Sequence, residues 1–200
     1  MKKLLTLLTL VVAMSALAVV AQADPLVFTT TLSGANEVPA AASAGTGSAT
    51  VTINGNFMTV SITFSNLSGN TTASHIHCCQ PVGTNAQVAT TTPTFPGFPL
   101  GVQSGTYLQT FDLTQASSYN PAFITAHGGT VTQAQADLIA GLLAGQAYLN
   151  IHTNLFPGGE IRGQLAPVPE PGTLLLLGTG LAGAVGAVRR RRRARTLDGS

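Results

Sequence analysis

The sequence predicts a mostly β chain, an antiparallel sandwich or barrel with one short helix, followed by a C-terminal transmembrane helix. Three observations carry this. Apolar residues recur at every second position through several short segments, only one stretch has helical spacing, and a second, uncharged apolar run sits near the end of the chain.

The elements follow in order. Lys2 and Lys3, the apolar run from Leu4 to Ala21 and the small-residue exit Ala21-Gln22-Ala23 make a secretory signal over residues 1–23. The mature chain then begins near Asp24. Alternation marks strands at Phe28-Thr30-Leu32, Ala49-Val51-Ile53 and Met58-Val60-Ile62-Phe64. Asn54-Gly55 lies between the second and third runs as a hairpin turn. Further strands are expected at Thr72 to His77, Tyr107 to Leu113, Ala147 to Thr153 and Gly159 to Leu165, seven in all. Gln80 to Gly105 is an irregular loop with Phe95 and Phe98, long enough to be functional or mobile. The helical spacing of Ala134, Leu138, Ile139, Leu142 and Leu143 gives one helix, with Thr132 as its N-cap and Gly145 as its stop.

The C-terminal run, Gly172 to Val188, is seventeen residues without charge. As a helix it is roughly 25 Å long, just short of a ~30 Å hydrocarbon core. Arg189, Arg190, Arg191, Arg192 and Arg193, with Arg195 nearby, close it as a membrane stop. Such a cluster stays cytoplasmic and leaves everything before Gly172 outside. The boundaries are therefore 1–23, 24–167, 168–195 and a short tail, 196–200.

The formal charge of +2 misdescribes the working part. Eight of the nine basic residues lie in the two terminal segments. Between Asp24 and Pro167, five acids face one base, Arg162. With no basic patch to neutralise phosphates, nucleic acid is excluded as a partner.

The chemistry-bearing residues are few. His75 and His77 flank Ile76 on one strand, so alternation puts both imidazoles on the face opposite the core, ~6.5–7 Å apart at Cα. Tyr148, Asn150 and His152 face away from the core on a later strand. If these strands are neighbours, His75, His77 and His152 make a three-imidazole copper or zinc site; otherwise they are polar residues on solvent faces. Ligands must be neutral, so affinity is expected to fall as pH drops through ~6.5. Cys78-Cys79 admits a strained vicinal disulfide, two intermolecular bridges, or thiolate ligands beside His77. His127, in the turn His127-Gly128-Gly129, reads as a loop residue. Glu160 and Arg162 share a strand face and with Glu37 offer an ion-paired tether between the first and last segments. No Gly-x-Ser-x-Gly elbow, phosphate loop, dinucleotide fingerprint or paired carboxylates appears, so no catalytic residue is assigned and no enzyme is expected.

Two resemblances cover most of the chain. Leu32-Ser33-Gly34-Ala35-Asn36-Glu37-Val38-Pro39, Ala73-Ser74-His75-Ile76-His77, Ala147 to Thr153 and Pro157 to Leu165 together resemble the CHRD (chordin-like) domain. That resemblance implies an immunoglobulin-like β architecture and an extracellular setting, and supplies no biochemical activity. Val168-Pro169-Glu170-Pro171, the apolar run and the arginine cluster resemble the PEP-CTERM sorting tail. It implies a Gram-negative bacterium that makes exopolysaccharide, recognition of Pro169, Glu170 and Pro171 by an exosortase-type enzyme, and passage from the inner membrane, facing the periplasm, to the cell surface or beyond. The His-x-His strand and distant histidine are also similar to copper-zinc superoxide dismutase, in spacing only. Its fourth copper histidine, zinc-binding loop and aspartate have no counterpart here. The leading expectation is an exported binding or structural protein, and the alternative is an extracytoplasmic copper- or zinc-binding domain open to redox chemistry.

Overall fold

A computed structural model describes residues 24–169 and 179–180. The signal segment, Glu170, Pro171, the apolar run and Arg189 to Arg193 lie outside the described residues. Among the described residues, no helix is long and apolar enough to cross a membrane.

The longest strands arise where alternation is cleanest. β1 (Leu26–Ser33), β2 (Thr46–Asn54) and β3 (Phe57–Ser65) form consecutive antiparallel pairs. Register places Phe28 opposite Val51 and Val51 opposite Val60, so their apolar side chains stack on one face. The Thr and Ser residues between them point away. The β2–β3 turn is shifted by one residue from the expected position. Asn54 pairs with Phe57, leaving Gly55-Asn56 as the loop. Gly55 takes φ +57, which glycine tolerates at the first central position of a two-residue hairpin.

The remaining strands are β4 (Thr71–Cys78), β5 (Gln87–Val88), β6 (Gly105–Asp112), β7 (Ala147–Thr153), β8 (Ile161–Gln164) and β9 (Ala166–Pro167). Among the described residues there are thus nine rather than seven. β5 and β9 are two-residue strands with too few residues for a period to show. All belong to one antiparallel sheet, a half-barrel in the order β5-β4-β7-β8-β1-β2-β3-β6, with β9 paired to β1.

Among the described residues two α-helices pack against the sheet, the expected one and a six-residue one before it. α1 (Pro121–Ala126) starts at Asn120, whose side chain accepts from the Ala122 N–H, with Pro121 in the first turn. At six residues it is too short to display a period. The N-cap of α2 (Val131–Leu143) is Thr130, not Thr132: the Thr130 side chain accepts from the Gln133 N–H. A threonine two residues earlier satisfies the first free donors, so Thr132 falls inside the helix. Ala134, Leu138 and Leu142 of α2 pack on the core made by Phe28, Met58, Ile62, Ile76, Leu149 and Ile151.

The sheet changes character along its order. β2 and β3 alternate between buried and open residues, whereas β4, β7 and β8 are covered on nearly every residue. One face of these three meets the core. The other lies under the loop after β4, anchored by Phe95 and Phe98 against Tyr107. The long loop is therefore a lid fastened to the core, and it covers the faces that alternation alone assigns to solvent.

Candidate metal centre

β4 and β7 are neighbours, and their register sets His75 opposite Asn150, His77 opposite Tyr148, and Ala73 opposite His152. His75 and His77 share a face because they are two apart. His152 lies diagonally across from His75 on that same face. The ring centroids are 5.8 Å apart for His75 and His77, 5.3 Å for His75 and His152, and 6.1 Å for His77 and His152. One nitrogen from each ring lies within 4.8 Å of the other two. A zinc-like ion bound at ~2.0–2.1 Å needs nitrogens ~3.4 Å apart, so the rings would close by about 1 Å on loading.

Each imidazole is held by a backbone carbonyl. His75 Nε2 lies 2.7 Å from Pro93 O, His77 Nδ1 2.8 Å from Ala86 O, and His152 Nδ1 2.8 Å from Pro157 O. A carbonyl can only accept, so these nitrogens carry the protons. The opposite nitrogens, His75 Nδ1, His77 Nε2 and His152 Nε2, then present lone pairs. All three are buried and have no hydrogen-bond partner among the described residues. Leaving a buried acceptor unmet costs about 1–3 kcal/mol, so three together at one point need an explanation. Neutral imidazoles oriented by carbonyls on their far nitrogens are how histidines are prepared for metal.

Burial also keeps the rings neutral. His75 is 6 % exposed and His77 8 %, so neither is a solvent-face residue. Burial lowers both to about 4, with the Pro93 and Ala86 carbonyls pulling partly the other way. His152 is lowered too, by burial against the pull of Pro157 O. The folded, metal-free site therefore keeps His75 and His77 neutral well below the 6.5 of free imidazole.

A second layer braces the first. Tyr148 stacks on His77 with centroids 4.7 Å apart and planes 7° from parallel. The Arg162 guanidinium lies 3.3 Å over the Tyr148 ring, and it donates to Asn85 Oδ1 and Thr84 O. The Ala86 N–H donates to the Tyr148 hydroxyl, fixing the peptide next to the His77 acceptor. Sequence reasoning placed Tyr148 and Arg162 on strands but assigned neither to this site. Their aromatic and guanidinium chemistry was visible; the register joining β7 to β8 was not.

The other candidates lie elsewhere. Cys78 and Cys79 are bonded to each other, and both sulfurs lie against Gly141 of α2, where a Cβ would collide with Cys78. Neither joins the imidazoles. His127 caps α1 and pairs with Asp137 at 2.8 Å, the only ion pair among the described residues. The expected Glu37–Glu160–Arg162 tether does not form. Glu160 accepts instead from Ser43, Thr153 and the N–H groups of Ser68 and Gly69. Burial would raise its carboxyl, and those hydrogen bonds hold it below the usual value. Glu37 is raised to about 7 by burial, against the opposing pull of Arg162 and the Asn150 amide.

With this geometry in place, comparison with protein families is decisive for residues 28–165, which match the CHRD domain model. The chain belongs to the CHRD domain family. Residues 167–193 of this CHRD protein match the PEP-CTERM protein-sorting motif, which includes Pro169, Glu170, Pro171 and Arg189 to Arg193. That motif marks the CHRD protein for export and sorting and implies recognition by an exosortase-type enzyme. No curated protein and no solved structure matches the chain. The three histidines all fall within the CHRD match, on strands β4 and β7.

Proposed function

We propose that this chain is an exported CHRD protein whose β domain holds one copper or zinc ion on His75, His77 and His152, as a binding rather than a catalytic protein. The observation that carries the reading is the convergence of three buried imidazole nitrogens without partners. Each is aimed inward by a carbonyl behind it, which a histidine-independent structural domain has no need to arrange. Bound there, the ion cross-links β4 to β7 and satisfies all three lone pairs; its Lewis acidity or redox chemistry is what it would lend to a fourth, external ligand.

Export supplies the setting. The signal over residues 1–23 directs the chain out, and the segment 168–195 holds it in the inner membrane, facing the periplasm, until an exosortase-type enzyme acts near Pro169-Glu170-Pro171. The β domain is then released to the cell surface or beyond, where exopolysaccharide is a candidate neighbour.

Metal analysis of the exported protein tests the reading. It should carry about one copper or zinc per chain, and His77→Ala and His152→Ala should each remove most of it while leaving the far-UV circular dichroism unchanged. A His152→Ala protein that holds metal as tightly as the parent would show that the two strands do not share a site.

A further inference from the structure

If the three imidazoles hold a metal, as proposed above, the charges around them bear on which one. The ligands are neutral, and no carboxylate or thiolate among the described residues joins them. The fixed charge stacked nearest on the site is positive. Both pack on the Tyr148 ring, so the Arg162 guanidinium lies within about 8 Å of the His77 imidazole. Arg162 is 3 % exposed, and its two described donor contacts are neutral, to Asn85 and Thr84. No acid lies within ion-pair distance of it among the described residues; the nearest carboxyl that feels it, Glu37, is raised to about 7 by burial and so offsets the charge fully only above that pH.

A fixed positive charge repels a divalent ion twice as strongly as a monovalent one at the same distance. Ligand number acts in the same direction. Three nitrogens complete the coordination of a cuprous ion, whereas zinc and cupric ions ask for a fourth donor. Imidazole itself is indifferent to this choice, since it serves zinc and copper alike.

We infer that the centre is built for cuprous copper, and that Arg162, acting through Tyr148, is the positioning residue that sets its preference over divalent ions. A unit charge at 8–10 Å and an effective dielectric constant near 20 biases the choice between charge states by about tenfold or more. For the Cu(II)/Cu(I) couple, tenfold corresponds to about 59 mV.

The test compares affinities for Cu(I), Cu(II) and Zn(II) by chelator competition on the full chain in detergent. Ascorbate keeps copper reduced, because a dithiol reductant would also attack the Cys78–Cys79 bond. The parent should hold Cu(I) at least tenfold more tightly than either divalent ion. Arg162→Gln should erode that ratio about tenfold, and Arg162→Lys, which keeps the charge, should preserve most of it. Circular dichroism of each variant reports folding. Should Arg162→Gln fail to fold, Tyr148→Leu removes the same stack, and the parent ratio stands as an independent measurement. Zinc or Cu(II) binding as tight as Cu(I) in the parent overturns the inference while leaving the metal site in place. An unchanged ratio in a folded Arg162→Gln protein removes Arg162 from the argument. A parent that binds none of the three ions removes the site and the inference together.

Discussion

Acidification should destabilise the metal-free protein between pH 6.5 and 4.5, and the structure gives the size of the effect. His75 and His77 go from 6.5 in the unfolded chain to about 4 in the folded one. Within that window the unfolded chain binds two protons that the folded chain refuses, so stability falls as pH drops. At 1.36 kcal/mol per unit and group, two units across two imidazoles amount to ~5 kcal/mol. Glu37 acts with the opposite sign. Its carboxyl, raised from 4.5 to about 7, is protonated in the folded chain and ionised in the unfolded one, so it returns ~3 kcal/mol over the same window. The net loss is then ~2–3 kcal/mol, and His152, also lowered, adds to it. Glu37→Gln should roughly double the slope by removing the compensating group. Urea unfolding in the presence of a chelator, followed by far-UV circular dichroism because the chain has no tryptophan, measures both profiles. A flat profile in Glu37→Gln would show that the imidazoles reach water and titrate near their free value, and a slope unchanged from the parent would show that Glu37 does.

Three further outcomes are expected. Glu160→Ala orphans the Ser68 and Gly69 N–H groups together with the Thr153 hydroxyl, and should cost about 2–4 kcal/mol in urea unfolding at pH 7; a loss below 0.5 kcal/mol would show that water replaces the carboxylate. A reporter enzyme active only outside the cytoplasm should work when fused after Leu165 and fail after Ser200. Activity at Ser200 would put the arginine cluster outside. Mature protein from the native host should lack Arg189 to Arg193 by mass spectrometry, and a predominantly intact tail would make the segment an ordinary anchor.

How much of this was legible depended on the range of the interaction. Strands β2 and β3 were readable because Val51, Ile53, Val60 and Ile62 express their burial locally, through alternation. The same rule put His75 with His77 on one face, and Tyr148, Asn150 and His152 on another. It assigned those faces to solvent, however, because alternation reports only which side meets the core. The cover comes from Phe95 and Phe98, whose anchoring against Tyr107 draws the loop across β4 and β7. The pairing of β4 with β7, far apart in the chain, has no local signature, and neither do the carbonyls of Ala86, Pro93 and Pro157. Those acceptors belong to irregular backbone whose position is set by tertiary packing. Thr130 was missed for a different reason: two threonines compete for one cap, and only the backbone angles at the helix start choose between them.

The lid also decides what kind of site this is. Three histidines on an open sheet face would hydrate both ring nitrogens, titrate near pH 6.5 and bind metal weakly through mobile side chains. Once covered, each ring loses water on both sides, and the lid returns a partner to only one nitrogen on His75 and His77: Pro93 O and Ala86 O. Pro157, from the turn after β7, does the same for His152. A lid that served only to exclude water would be better matched by apolar residues at these three positions, since burying an unmet acceptor is costly. Retaining the imidazoles makes sense when a cation takes the inward lone pairs. The Tyr148–Arg162 stack then has a role beyond packing, because it brings a buried positive charge up to a site that already lacks negative ligands. If the site holds a metal as proposed, that combination would work against divalent cations and favour the least charged metal that three imidazoles can hold.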